Sequence, residues 1–306
     1  MKRLLIALAV LAALAVGFVV LFPERALQAD FARQRLWAGA SVKSQDVGGE
    51  RWTYLEAGRG PLIVLVHGYT GSKENWLPVM RRLARGHRVL AVDLPGWGDS
   101  APAPGADYGP LAQAARLDAF LQAQGEPVAL LVGHSMGGMI AGLLLSDAHA
   151  APVERVVFMS SAGVRFSEND FARRVAAGDN PFAVYDATAF LAFLDGYVFA
   201  EAPYVPVPVA RVMVERRAAK RGFERAVFAQ MSLGPQAFLL QQRLPRIRQP
   251  AGLLWCDRDA IIDVSAAAVF AAGLPSSQTR ILAGCGHMPM MERPGPVADY
   301  LLGRLP

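Results

Sequence analysis

Two cysteines in 306 residues, Cys256 and Cys285, leave no disulfide framework on which a small scaffold could be built. Five histidines, His67, His87, His134, His149 and His287, show no metal-ligand spacing, so neither a metal nor a cofactor is implied. No internal repeat or low-complexity linker is visible, which leaves no sign of a solenoid or an array. Charged residues make up only 19% of the chain. The net charge of +5 suits a protein at a membrane surface, but no nucleic-acid motif accompanies it, so a nucleic-acid partner is not expected.

What the chain does have begins at its N-terminus. After Lys2 and Arg3, the nineteen residues Leu4 to Phe22 carry neither a charge nor a proline. That length suffices to span a bilayer and exceeds an ordinary signal-peptide core, so residues 1–23 read as an uncleaved signal anchor. Cleavage after Ala13-Leu14-Ala15 is the alternative. Arg25, Arg33 and Arg35 offset Lys2 and Arg3 in the positive-inside count, and the short polar tail tips the balance toward an outward-facing body, periplasmic and inner-membrane if the source is bacterial. Residues 24–40 read as a juxtamembrane helix with Leu27, Phe31 and Ala38 on one face. Ala9, Ala13 and Gly17 recur every four residues along the anchor, a spacing that lets two such helices approach as a homodimer.

Apolar runs at 62–66, 88–92, 128–132, 154–159, 251–256 and 279–283 alternate with helical segments, and two more at 41–47 and 50–57 fit an antiparallel edge. This is the pattern of an α/β fold with a mostly parallel eight-stranded sheet covered by helices on both faces. Residues 41–162 and 251–306 form that core. The interval 163–250 interrupts the alternation and is too long to be a connection, so it is assigned to an inserted helical cap. It is rich in aromatics, among them Phe182, Tyr185, Phe190, Phe193, Tyr197 and Phe199; most should form the cap's own core, and a few should line an apolar tunnel. Its basic stretch, Arg211, Arg216, Arg217, Lys220, Arg221 and Arg225, reads as a solvated helix face, with contact to anionic headgroups as the alternative.

Gly133-His134-Ser135-Met136-Gly137 follows the strand-like run 128–132 and precedes an apolar helix. A serine at the apex of such a strand–turn–helix projects its hydroxyl above the sheet, and the helix N-terminus favours the charge on an attacked carbonyl oxygen. A base and an orienting acid follow in the order Ser135, Asp259, His287, with Asp257 and Asp263 competing for the acid role. The strand 62–66 ends in His67-Gly68-Tyr69, so the amides of Tyr69 and Met136 are the candidate oxyanion donors.

On these residues the chain resembles serine hydrolases of the α/β-hydrolase superfamily from about Glu50 onward. Asp93-Leu94-Pro95-Gly96-Trp97-Gly98-Asp99-Ser100 is similar to that superfamily's D-x-P-G-x-G-x-S turn. More narrowly, His67-Gly68-Tyr69-Thr70-Gly71-Ser72-Lys73-Glu74-Asn75-Trp76 and Asp263-Val264-Ser265 resemble membrane-anchored monoacylglycerol lipases and bacterial membrane-bound phospholipases. Cys256 stands where the family's W-G-x-x-D pattern has glycine. Ser160 and Ser161 occupy the strand end where some relatives carry the acid. The resemblance implies a membrane-anchored ester hydrolase acting on monoacylglycerols or (lyso)phospholipids. A carbon–carbon bond hydrolase, a perhydrolase or a non-catalytic lipid-binding protein are the alternatives. Both cysteines are expected as free thiols, because adjacent parallel strands seldom bring two Cβ atoms to bonding distance; the alternative, which an oxidising compartment would permit, is a bridge tying together the loops that carry Asp259 and His287.

Overall fold

The computed structural model describes residues 1–103, 105–147 and 151–305; His149 lies outside them. Eight strands, β1 (Ser41–Val47), β2 (Glu50–Ala57), β3 (Leu62–Val66), β4 (Arg88–Asp93), β5 (Val128–His134), β6 (Val156–Met159), β7 (Ala251–Cys256) and β8 (Ser277–Leu282), form one sheet in the order β1-β2-β4-β3-β5-β6-β7-β8. The β1–β2 and β2–β4 pairs are antiparallel and all others parallel.

The apolar run of β3 shows why the sheet is covered twice. Leu62, Val64 and Val66 pack into one core layer while Ile63 and Leu65 pack into the other. Successive residues of a strand face opposite sides, so a strand apolar at every position must be buried on both. One helix, α1 (Lys2–Leu21), projects from this body with no buried residue. At 1.5 Å per residue its twenty residues extend about 30 Å, the thickness of a bilayer's hydrocarbon core.

A second helix, α2 (Pro23–Ala38), turns back onto the body and begins with proline at its first position. Leu27 packs against the cap residues Val209 and Val212, and Ala38 enters the sheet's core. Two ion pairs fasten the same helix, Arg35 to Glu74 and Glu24 to Arg216. On the sheet faces lie α3 (Leu77–Leu83), α4 (Pro110–Gln122) and α5 (Met136–Leu145).

Between β6 and β7 the chain forms the helices of the predicted insertion: α6 (Asp170–Ala176), α7 (Ala187–Phe193), α8 (Val207–Ala219), α9 (Arg221–Phe228) and α10 (Leu239–Arg243). Asn169 and Asp186 cap α6 and α7, their side chains accepting from backbone amides of the first turn. The basic stretch divides between two roles. Arg216 pairs with Glu24 and Arg217 with the buried Glu224, and Lys220 donates to the carbonyls of Gly96 and Gly98, while Arg211, Arg221 and Arg225 are exposed. The reading as one solvated face holds only for the second group, because the first is claimed by partners on other helices and on the loop after β4. After β7 come α11 (Ala266–Gly273), α12 (Pro289–Glu292) and α13 (Pro294–Leu302).

The cysteines require a correction. Cys256 and Cys285 form a disulfide, with Cα atoms 5.2 Å apart, and are not free thiols. The expectation treated them as neighbours on paired strands, but the strand partner of Cys256 is Leu282. Cys285 lies three residues past β8, where Gly284 turns the chain at φ 69°. Hydrogen bonds from Asp257 N to Leu282 O (3.0 Å) and from Arg258 N to Cys285 O (3.1 Å) then draw the two loops together.

Candidate active site

Ser135 sits between the end of β5 and the first residue of α5, at φ 52° and ψ −119°. A non-glycine residue adopts this conformation only when its surroundings enforce it. Its amide donates to Met159 O (3.0 Å) and its carbonyl accepts from Ala162 N (3.0 Å), which ties the turn to the neighbouring strand end. The flanking glycines are required by contact. A Cβ on Gly133 would lie 2.5 Å from Gly137 O, and one on Gly137 would lie 2.5 Å from the carbonyl oxygens of both His67 and Val66.

The same closeness brings the loop after β3 to the serine, since a Cβ on Gly68 would stand 2.9 Å from that of Ser135. Tyr69 and Met136 therefore belong to one small region. Met136 is the first residue of α5, so its amide is among those a helix leaves without an internal partner. The Tyr69 side chain turns toward the cap. Its hydroxyl donates to Glu224 O (2.7 Å) and its ring meets Phe182 edge-on, and burial raises its pKa above the ordinary phenol value.

His287 follows β8 on a loop held from several sides. Its Nδ1 lies 2.9 Å from both carboxylate oxygens of Asp259. That carboxylate also accepts from the amides of Ile261 (3.0 Å) and Ile262 (2.9 Å), so it is buried yet fully partnered. The competing acids are engaged elsewhere, Asp257 with Gly284 N and Asp263 with Ser265 N. Behind the loop, His134 Nε2 donates to His287 O at 2.7 Å. Burial first, and then the neighbouring His287, hold the His134 ring well below the ordinary histidine pKa, which keeps it neutral. His67 is buried too. Its Nε2 accepts from Leu94 N (3.1 Å) and its Nδ1 donates to Gly68 O (2.7 Å), which joins the ends of β3 and β4.

Ser135 and His287 open into one cavity of about 630 Å³. Phe182, Phe190, Phe193 and Phe199 of the cap and Ile261 of the acid loop give it an apolar wall, and Leu27, Phe31 and Arg35 of α2 form another part of the lining. Two features escaped the sequence reading. Lys73 is buried with its ammonium on Asp93 (2.7 Å) and Asp99 (2.6 Å), so the D-x-P-G-x-G-x-S turn is organised by a cation from another loop. Glu292 binds backbone amides of both the His287 loop and the cap. Lys73 stands inside the quoted stretch His67–Trp76 and Glu292 a few residues beyond His287, but the partners of both are set by folding alone.

The sequence profile of the alpha/beta hydrolase family matches residues 63–300, and the chain belongs to that family. It is a hydrolase of the lipase and esterase type. Monoacylglycerol lipase abhd6-A of Xenopus laevis is 26% identical over 290 residues, which cover 90% of this chain and 85% of the relative. Lipase 1 of Psychrobacter immobilis is 28% identical over 260 residues, 82% of this chain and 79% of the relative. Among solved structures, a bacterial membrane phospholipase A described as a virulence factor superposes with a TM-score of 0.86 at 35% identity, covering 99% of this chain and 98% of the other.

Proposed function

We propose that this chain is a membrane-anchored serine hydrolase of lipid carboxylic esters, acting on monoacylglycerols or (lyso)phospholipids through Ser135, His287 and Asp259. The observation that carries the reading is the Asp259–His287 pair, whose histidine shares a largely apolar cavity with a serine held at positive φ. Asp259 accepts from Nδ1, which leaves Nε2 of His287 to take the proton of Ser135 Oγ as that oxygen attacks the ester carbonyl. The amides of Tyr69 and Met136 hold the oxyanion. His287 then gives its proton to the departing alcohol, and a water activated by the same ring releases the fatty acid from Ser135.

The site is a general one for acyl transfer; what points to lipid is its setting. The phenylalanine wall suits an acyl chain, and α2 joins that cavity directly to the apolar α1. The names of the relatives agree with this substrate class. The disulfide favours a body on the oxidising side of a membrane, which in a bacterium is the periplasm. For assembly, a Cβ on Gly17 would meet nothing within 4 Å, so the Ala9, Ala13 and Gly17 face of α1 has room for the same helix of a second copy.

A hydrolysis panel of p-nitrophenyl esters, monoacylglycerols and lysophospholipids tests the reading. Ser135→Ala and His287→Ala should abolish turnover on all of them, and Asp259→Asn should cost about 10⁴-fold. Wild-type turnover in Ser135→Ala would overturn the nucleophile. The full chain should leave membranes with detergent and resist carbonate; release by carbonate would overturn the anchor.

A further inference from the structure

The loop that carries His287 is laced to the cap as well as to the sheet. Its sheet-side ties include the bonds to His134 and Asp259 and the Cys256–Cys285 disulfide. On the cap side, His287 N donates to Val198 O at 2.8 Å. Beside it, the carboxylate of Glu292 accepts from Gly286 N with one oxygen (2.7 Å) and from Ala200 N with the other (2.9 Å). A longer contact runs from Glu201 N to that second oxygen (3.4 Å). The two segments press backbone against backbone, because a Cβ on Gly286 would lie 2.7 Å from Ala200 N. Val198 and Phe199, on the cap side of this latch, line the cavity.

We propose that Glu292 is a positioning residue that couples the seating of cap segment 198–201 to the placement of His287. A carboxylate shared between two amides holds both only while they stay side by side. When a substrate displaces segment 198–201 on entry, the latch opens and His287 loses half of its backbone anchorage. When the segment returns, the base is set again. The cap therefore governs proton transfer as well as access. The inference rests on the reading of His287 as the general base.

Glu292→Ala, Glu292→Gln and Gly286→Ala test the coupling on two substrates, p-nitrophenyl acetate, whose acyl group is too short to fill the phenylalanine-lined wall, and a long-chain monoacylglycerol. Misplacement of a base by a fraction of an ångström to one ångström lowers kcat about 10- to 100-fold, so Glu292→Ala should lose that much on both esters with KM changed less than about threefold. Glu292→Gln keeps one acceptor and should lose less. Gly286→Ala disturbs the latch from the opposite side and should reproduce the kcat loss. Labelling of Ser135 by a fluorophosphonate should slow in parallel. A kcat loss confined to the long-chain ester would overturn the proposal, since Glu292 would then act on cavity shape alone. A lowered Tm with unchanged kcat in the folded variants would also overturn it. If Glu292→Ala does not fold, the other two variants decide. Failure of the underlying reading has a separate signature, activity persisting in His287→Ala.

Discussion

Replacing Cys256 and Cys285 together by alanine removes a covalent tie whose worth follows from its place in the chain. The bridge closes a loop of 29 residues. In the chain-entropy treatment such a closure restricts the unfolded ensemble by about 3.6 kcal/mol at room temperature. For a domain of this size each kcal/mol moves Tm by about 2–4 °C, so the double variant should melt about 7–14 °C below the parent. Alanine is preferable to serine here because both cysteines are fully buried, and alanine adds no polar group to the core and so no new hydrogen bond that could mask the loss of the bridge. The effect on catalysis should be smaller. Asp259 and His287 lie just beyond the two sulfurs, but the same loops are also joined by Asp257 N to Leu282 O, Arg258 N to Cys285 O and Gly284 N to the Asp257 carboxylate. These bonds should keep kcat within about tenfold of the parent at temperatures where the variant is folded. Thermal melts followed by circular dichroism, paired with ester hydrolysis well below the transition, measure both quantities. A Tm loss under about 2 °C would refute the entropic estimate. A collapse of kcat in the folded variant would show the bridge to be the main support of the Asp259–His287 pair.

Gly137→Ala should be far more damaging than its size suggests. Its Cβ would press within 2.5 Å on the carbonyls of Val66 and His67, forcing the Tyr69 loop away from α5, so ester turnover should fall by about 100-fold or the protein should fail to accumulate. Gly222→Ala on α9, whose Cβ meets nothing within 4 Å, serves as the silent control; equal effects of the two would refute the contact argument. Stability should also depend on pH through His67 and His134. Burial lowers the pKa of both rings in the folded state below the reference 6.5, so the unfolded chain takes up protons that the folded chain refuses. Their contribution is therefore intact above pH 6.5 and declines as pH falls below it, by up to about 1.4 kcal/mol per pH unit for each ring. Urea unfolding between about pH 5.5 and 7 measures the slope, and a flat or opposite trend would refute it.

The strands, their boundaries to within a few residues, and the residues now grouped at the cavity were legible because each leaves a local signal. A strand buried on both faces must be apolar throughout, as in Leu62–Val66, and a serine turn squeezed between two strand ends must be flanked by glycine. Asp259 could be ranked above Asp257 and Asp263 by motif position, but only the folded chain sends those two to Gly284 and Ser265 and leaves Asp259 facing His287.

The amino-acid order by itself determined the α/β core and the apolar N-terminal helix and marked Ser135, Asp259 and His287 as candidates, since periodicity and short-range turn chemistry are written in consecutive residues. Tertiary structure alone decided which distant groups meet. It turned Cys285 back onto Cys256, and it gave Lys73 to Asp93, Arg216 to Glu24 and Glu292 to both the cap and the His287 loop. Such pairings depend on how loops leave the sheet and how the cap settles on it. A carboxylate or a cysteine looks the same in sequence whichever partner the fold brings to it.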